Sequence, residues 1–205
     1  MKKGYIQTYE WVMSLLAKND FEESAARLGL SFSAPGTISI DFLTRTYSVT
    51  KESIEKVCER VKWQSCAEGY EFNLKSVLGY YILSEAKVEP VNEFCPLPHF
   101  SHGVFRNDDG RRDPLRIAFG QDYELFCSAA NSAGMEFETE KSPGQFIWRY
   151  KLLPKIPVKL VYYQGDDEFP TNIQVLYDKT AIEFFKFEPL AVLHGCFTGG
   201  FASFQ

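Results

Sequence analysis

The chain has 205 residues, 45% of them hydrophobic and 16% aromatic, with a formal net charge of −5; it can bury a sizeable core and is too apolar to be disordered. Its Lys and Arg are scattered without a basic stripe, which argues against a nucleic-acid partner. No apolar run approaches the ~20 residues that span a bilayer, and no apolar signal core follows Met1, so a cytoplasmic protein with no membrane partner is expected.

Residues 5–17 place Ile6, Tyr9, Val12, Met13 and Leu16 at three- and four-residue spacing, which predicts an amphipathic helix. Asp20, with Glu23 three residues on, forms a capping-box pattern for a short second helix that Gly29 stops. Residues 37–49 carry Ile38, Ile40 and Phe42, then Tyr47 and Val49, around Thr44-Arg45, and read as a hairpin. Over residues 50–62, Ile54, Val57, Cys58 and Val61 fall at helical spacing, and a helix is expected. Asn73 then caps a helix over 74–86, with Leu74, Val77, Leu78, Tyr81, Ile82 and Glu85 forming its buried stripe.

Residues 88–112 are the least regular part, broken by Pro90, Pro96, Pro98, Gly103 and Gly110. Ordered loops of this length tend to carry function or to cover a sheet edge. Pro114 opens a helix to Phe119, and Asp122 caps another through Ala133, which Gly134 ends. Two strands, 135–137 and 145–152, flank a Pro143-Gly144 turn. In 156–163, Ile156, Val158, Leu160 and Tyr162 alternate with Pro157, Lys159, Val161 and Tyr163. Both faces are largely apolar, which predicts a strand inside a sheet. The chain turns through Gly165-Asp166-Asp167 and returns antiparallel on Ile173, Val175 and Tyr177. Glu188-Pro189 opens a short last helix over 190–197, before a Gly199-Gly200 tail.

The fold class that follows is α+β, a mainly antiparallel sheet with helices packed on it, in a single domain. Its parts are a helical and hairpin half over roughly 1–90, the irregular 88–112, and a helix and sheet half over 113–205. Five cysteines (Cys58, Cys66, Cys95, Cys127, Cys196) without a CxxC pair fit a reducing compartment and leave no zinc ribbon or cysteine-rich cluster motif.

Several groups carry chemistry in their residue types. Asp166, Asp167 and Glu168 place three carboxylates on one turn, which suits a hard cation or a basic partner, and equally a solvated sheet end. Cys95, His99 and His102 (C-x3-H-x2-H), with His194 and Cys196, offer imidazole and thiolate to zinc or a similar metal; the alternative is hydrogen-bonding loop histidines. The same Cys95, Cys196, His99 and His194 contain any Cys–His nucleophile pair, unless the thiols are simply buried. Arg106, Arg111, Arg112 and Arg116, interleaved with Asp108, Asp109 and Asp113, read as an anion site or a self-neutralised loop. Trp148, Tyr150, Tyr162 and Tyr163 read as a planar-ligand pocket or as sheet core. No G-x-S-x-G, P-loop or G-x-G-x-x-G occurs.

A resemblance rests on Leu153-Pro154-Lys155-Ile156-Pro157, Gly165-Asp166-Asp167-Glu168-Phe169-Pro170, Leu176-Tyr177-Asp178-Lys179-Thr180 and Leu190-Ala191-Val192-Leu193. Further toward the N-terminus it includes Ala25-Ala26-Arg27-Leu28-Gly29, Phe42-Leu43-Thr44-Arg45-Thr46-Tyr47 and Leu78-Gly79-Tyr80-Tyr81-Ile82-Leu83. Over nearly its whole length the chain resembles domain-of-unknown-function family 3786, uncharacterised proteins of anaerobic bacteria and archaea. The resemblance implies a setting near corrinoid or one-carbon metabolism. Some members carry an added iron–sulfur segment, for which this chain lacks the cysteines.

The leading expectation is a protein that binds a small molecule or a partner protein, with no chemistry of its own, in a pocket between 88–112 and the C-terminal sheet. Arg106, Arg111, Arg112, Asp166, Asp167 and Glu168 are its candidate ligand-binding residues. A second reading is a metal-dependent enzyme, such as a hydrolase, with His99, His102, His194 and Cys95 as ligands and Glu168 or Asp167 as base. A third is a structural subunit that forms a homo-oligomer through a sheet edge. No cofactor is assigned.

Overall fold

The computed structural model describes residues 3–64, 67–101, 113–120 and 122–204. Helix α1 (Gly4–Leu16) buries Val12 and Leu16. Helix α2 (Phe21–Leu28) starts where the Asp20 carboxylate accepts from the Glu23 amide at 3.0 Å, and ends on Gly29 at φ 69. The Asp20 cap and the Gly29 stop are as predicted, whereas the Glu23 carboxylate that would complete a capping box accepts instead from Arg27 at 3.2 Å.

A four-stranded antiparallel sheet follows: β1 (Ser31–Ser33), β2 (Thr37–Phe42), β3 (Arg45–Val49) and β4 (Ile54–Glu59), in that order. The predicted hairpin is β2–β3, turned with Leu43 at φ 53. Strand β4 overturns the helix expected over 50–62. The Thr50 hydroxyl accepts from the amides of Glu52 and Ser53, and the Thr50 amide donates to the Ser53 carbonyl, so the chain reverses tightly and runs back along β3. Val57, placed by helical spacing on a buried stripe, is 61% exposed. The open edge of β3 outweighed a weak periodicity in a β-branched segment.

Helix α3 (Tyr70–Ile82) begins before the expected position. Gly69, at φ 84, makes the turn into it, and Asn73 is an ordinary helical residue whose amide donates to the Gly69 carbonyl, not the cap. The helix stops at Ile82, which leaves Glu85 exposed and outside the buried stripe. The Tyr70 hydroxyl donates to the Cys196 carbonyl at 2.7 Å and ties this helix to the C-terminal one.

The second sheet is also antiparallel: β5 (Phe94–Pro96), β6 (Glu136–Ser142), β7 (Gln145–Leu153), β8 (Ile156–Tyr163) and β9 (Asn172–Asp178), in the order β5-β9-β8-β7-β6. Strand β8 is therefore interior, as its apolar faces require. On the inner face Trp148, Leu160 and Val175 align across three strands, all buried. Against that face pack α4 (Pro114–Phe119), α5 (Tyr123–Ala133) and α7 (Phe187–Ala202), with a single turn, α6 (Ala181–Phe184), before α7. The Asp113 and Asp122 carboxylates cap α4 and α5, and Gly134 ends α5 at φ 78. Trp148, Tyr150, Tyr162 and Tyr163 belong to this sheet. Tyr150 stacks on Phe197 at 6.0 Å, and the Tyr162 hydroxyl donates to the Phe119 carbonyl at 3.1 Å.

Helix α7 corrects the short helix and glycine tail expected at the C-terminus, because it continues through Gly199 and Gly200. A Cβ at Gly200 would lie 2.5 Å from the Tyr70 hydroxyl and 2.8 Å from the Trp63 ring. The glycine is there for close approach, not to end the helix. Beyond it Phe201 meets Phe119 and Phe126 at 5.1 and 5.6 Å. One cluster of buried residues runs from Val12 to Phe201 through both sheets and the helices. Among the described residues no helix is long and apolar enough to cross a membrane.

Candidate functional site

The turn from β7 to β8 is built by Pro154 and Lys155 and held from beneath, where the Lys155 amide donates to the hydroxyl of fully buried Tyr81 at 3.0 Å. Beside this turn the start of the irregular segment, residues 88–93, is pinned by Asp178 at the end of β9. Asp178 has no solvent exposure. Its carboxylate accepts from the amides of Val91 (3.3 Å), Asn92 (2.6 Å) and Thr180 (3.0 Å), and from the Thr180 hydroxyl (2.7 Å). Four donors satisfy a buried charge that would otherwise be costly. Asn92 takes φ 59, which an asparagine tolerates and most residues do not.

Between these two anchored pieces opens a cleft of about 610 Å³, lined by Glu89, Pro90 and Asn92 on one side and by Arg149, Lys151, Pro154, Lys155 and Pro157 on the other. Gly134 and Glu136 close its end. This is the border between the irregular segment and the C-terminal sheet where the chain order leads one to look. The volume is in the range of small-molecule sites. Lys155 is paired with Glu89 at 2.5 Å. Arg149 stands opposite Glu136 in the strand register and 3.8 Å from Glu138, which also holds Lys159 at 2.7 Å. Lys151 meets no carboxylate among the described residues. With Pro154 it also lines a smaller neighbouring cleft of about 250 Å³ that contains Ser39 and Asp41.

The acidic turn lies at the far end of β8, about 20 Å from this cleft at the usual strand rise. Asp166 is occupied there: its carboxylate accepts from the amides of Glu168 and Phe169 at 2.9 and 2.8 Å, which hold it below the usual carboxylate range. Asp167 and Glu168 are exposed. Asp166 and Arg116 line one polar cleft of about 380 Å³, with Tyr123, Tyr162 and Thr171. Arg106, Arg111, Arg112 and His102 lie outside the described residues.

Of the candidate metal ligands, Cys95 sits buried on β5 as the register partner of Tyr177, and burial raises its thiol pKa. The Tyr177 hydroxyl shares a hydrogen bond of 3.1 Å with His194 Nδ1. Desolvation pushes the His194 pKa down to about 4, so the ring is neutral at pH 7. His99 is exposed on the 3-10 turn Leu97–Ser101, edge-on to Phe100. Tyr177 thus stands between Cys95 and His194. Among the described residues no three His, Cys, Asp or Glu side chains are grouped to hold a metal ion.

Sequence reasoning gave no site role to Arg149, Lys151, Lys155 or Asp178, although the last two lie in stretches that carry the family resemblance. The alternation of Arg149 and Lys151 on one strand face was the available signal for the cations. It also passed over Arg45, 7% exposed, which bonds Glu59 and Glu71 at 2.6 Å each under the Trp63 ring at 3.5 Å. That cluster joins β3, β4 and α3, and Glu71 also accepts from the Tyr47 hydroxyl at 3.2 Å.

Compared with known families, residues 20–199 match the model of a domain of unknown function, DUF3786. No curated protein and no solved structure matches the chain.

Proposed function

The chain belongs to the domain-of-unknown-function family DUF3786, and on that premise we propose that it binds a small molecule in the cleft between residues 89–92 and the β7–β8 turn. The observation that carries this reading is the cleft's construction. Both of its walls are fixed from below by hydrogen bonds to the buried Tyr81 and Asp178 side chains, so the space between them is preformed. Preformed concave sites with a few convergent charges are where ligands bind with least ordering cost. Stretches that carry the family resemblance border it: Pro154, Lys155 and Pro157 line the cleft, and Asp178 anchors its other wall. The proposal includes a cytoplasmic setting and, from the resemblance, a place in anaerobic metabolism near corrinoid or one-carbon chemistry. It gives the protein a binding role with no reaction of its own.

A thermal-shift screen of the chain against cofactors and organic acids tests it. A ligand at about 100 times its Kd adds about 2.7 kcal/mol, which raises the Tm by about 5 °C or more for a protein of this size. The shift disappears in Pro157→Trp, which fills the cleft with an indole. Equal shifts in both proteins place the binding elsewhere and overturn the reading.

A further inference from the structure

The lining of the cleft specifies more than its volume. Three prolines, Pro90, Pro154 and Pro157, contribute apolar wall and no amide donor. A ligand's body gains there from burial, and its polar contacts must come from side chains. Those side chains are unequal: among the described residues three cations, Arg149, Lys151 and Lys155, face two carboxylates, Glu89 and Glu136. One positive charge is left over, and the ion pairs identify its bearer. Lys155 has Glu89 and Arg149 has Glu138, with Glu136 opposite it in the strand register, whereas Lys151 has no carboxylate among the described residues. On β7, Lys151 is two residues from Arg149, so both side chains leave the same face about 7 Å apart. It also stands across from Pro157 in the β8 register.

We propose that the ligand is an amphipathic monocarboxylate, its apolar body against Pro90, Pro154 and Pro157 and its acid group on Lys151. This deepens the function proposed above and rests on it. With the neighbouring cations offset by their carboxylates, the Lys151 ammonium is the surplus charge that draws an anion, and a single acid neutralises it. A dianion would leave a charge uncompensated, and an amine would meet Lys151 unfavourably. The neighbouring Asp41 adds to this selectivity, because it repels an acid that slides past Lys151 into the smaller cleft.

The test is a set of amide-resolved NMR titrations of the full chain with hexanoate, hexanamide and hexylamine. Hexanoate shifts the amides of Asn92, Lys151 and Lys155 and binds at least about tenfold more tightly than hexanamide, a difference of about 1.4 kcal/mol. Lys151→Met abolishes that preference, while Lys155→Met, whose cation is already paired with Glu89, keeps most of it. Lys151 is exposed, so the variant's unchanged spectrum serves as the folding control. Hexanamide or hexylamine binding the same amides as tightly as hexanoate overturns the acid specificity and leaves the cleft as a binding site. If a broad fragment set also moves none of these amides, the reading of the cleft falls with it.

Discussion

Removing the Asp178 carboxylate leaves the donors of Val91, Asn92 and Thr180 without their acceptor at the edge of the sheet. Each unsatisfied buried group costs about 1–3 kcal/mol, although the loop amides regain water once the segment loosens. Asp178→Ala should therefore cost about 3 kcal/mol in urea unfolding, with faster hydrogen exchange at Asn92. A loss under about 0.5 kcal/mol would show that the anchor carries no weight. His194 gives a second residue-scale outcome. Its folded pKa is pushed below the ordinary 6.5 to about 4. Below pH 6.5 the unfolded chain takes a proton that the folded chain refuses, so stability falls from pH 6.5 toward 4 and levels off below. The drop attributable to this ring is about 3 kcal/mol. His194→Gln should flatten that part of the urea-midpoint profile, and a slope unchanged by the substitution would contradict the desolvated neutral ring. At this scale the sequence gives exposure better than partnership. Alternation marks Arg149 and Lys151 as outward-facing, but nothing local says that residues 91 and 92 lie over Asp178, some 86 positions away.

Among the elements, α7 shows how a local rule yields to packing. A Gly-Gly pair near a helix end reads as a stop, yet the helix runs on because Trp63 and Tyr70 occupy the space beside Gly200. Two substitutions separate these causes. Gly195 has nothing within 4 Å of a built Cβ, so Gly195→Ala should stabilise by up to about 1 kcal/mol through helix propensity. Gly200→Ala should instead destabilise by about 1–3 kcal/mol through overpacking. Thermal unfolding of the pair decides it, and a stabilising Gly200→Ala would mean the close approach is not a constraint. The helices α2, α4 and α5 were legible because their signals are local: an aspartate before the first turn and a glycine after the last for α2 and α5, and Pro114 at the first turn of α4. Strand β4 was not, since its partner β3 supplies the stabilisation and the Thr50 turn that presents it mimics a helix start.

Across the whole molecule the antiparallel α+β architecture was readable from turn residues and periodicity, because within each sheet most strands follow one another through short turns. The position of the cleft was half readable. Chain order places an irregular segment next to the sheet, but which end it covers depends on the fully buried Asp178 and Tyr81. The two ends of β8 differ for that reason. One end carries the acidic turn, whose Asp166 is spent on its own loop amides, and the other carries a preformed cleft whose Lys151 meets no carboxylate among the described residues. The most direct measurement is a crystallographic fragment screen of the full chain. Bound fragments should cluster among Pro90, Asn92, Lys151 and Pro157, with acids in contact with the Lys151 ammonium. Fragments gathered instead at the Arg116 and Asp166 cleft, with the 89–157 cleft empty, would contradict the account.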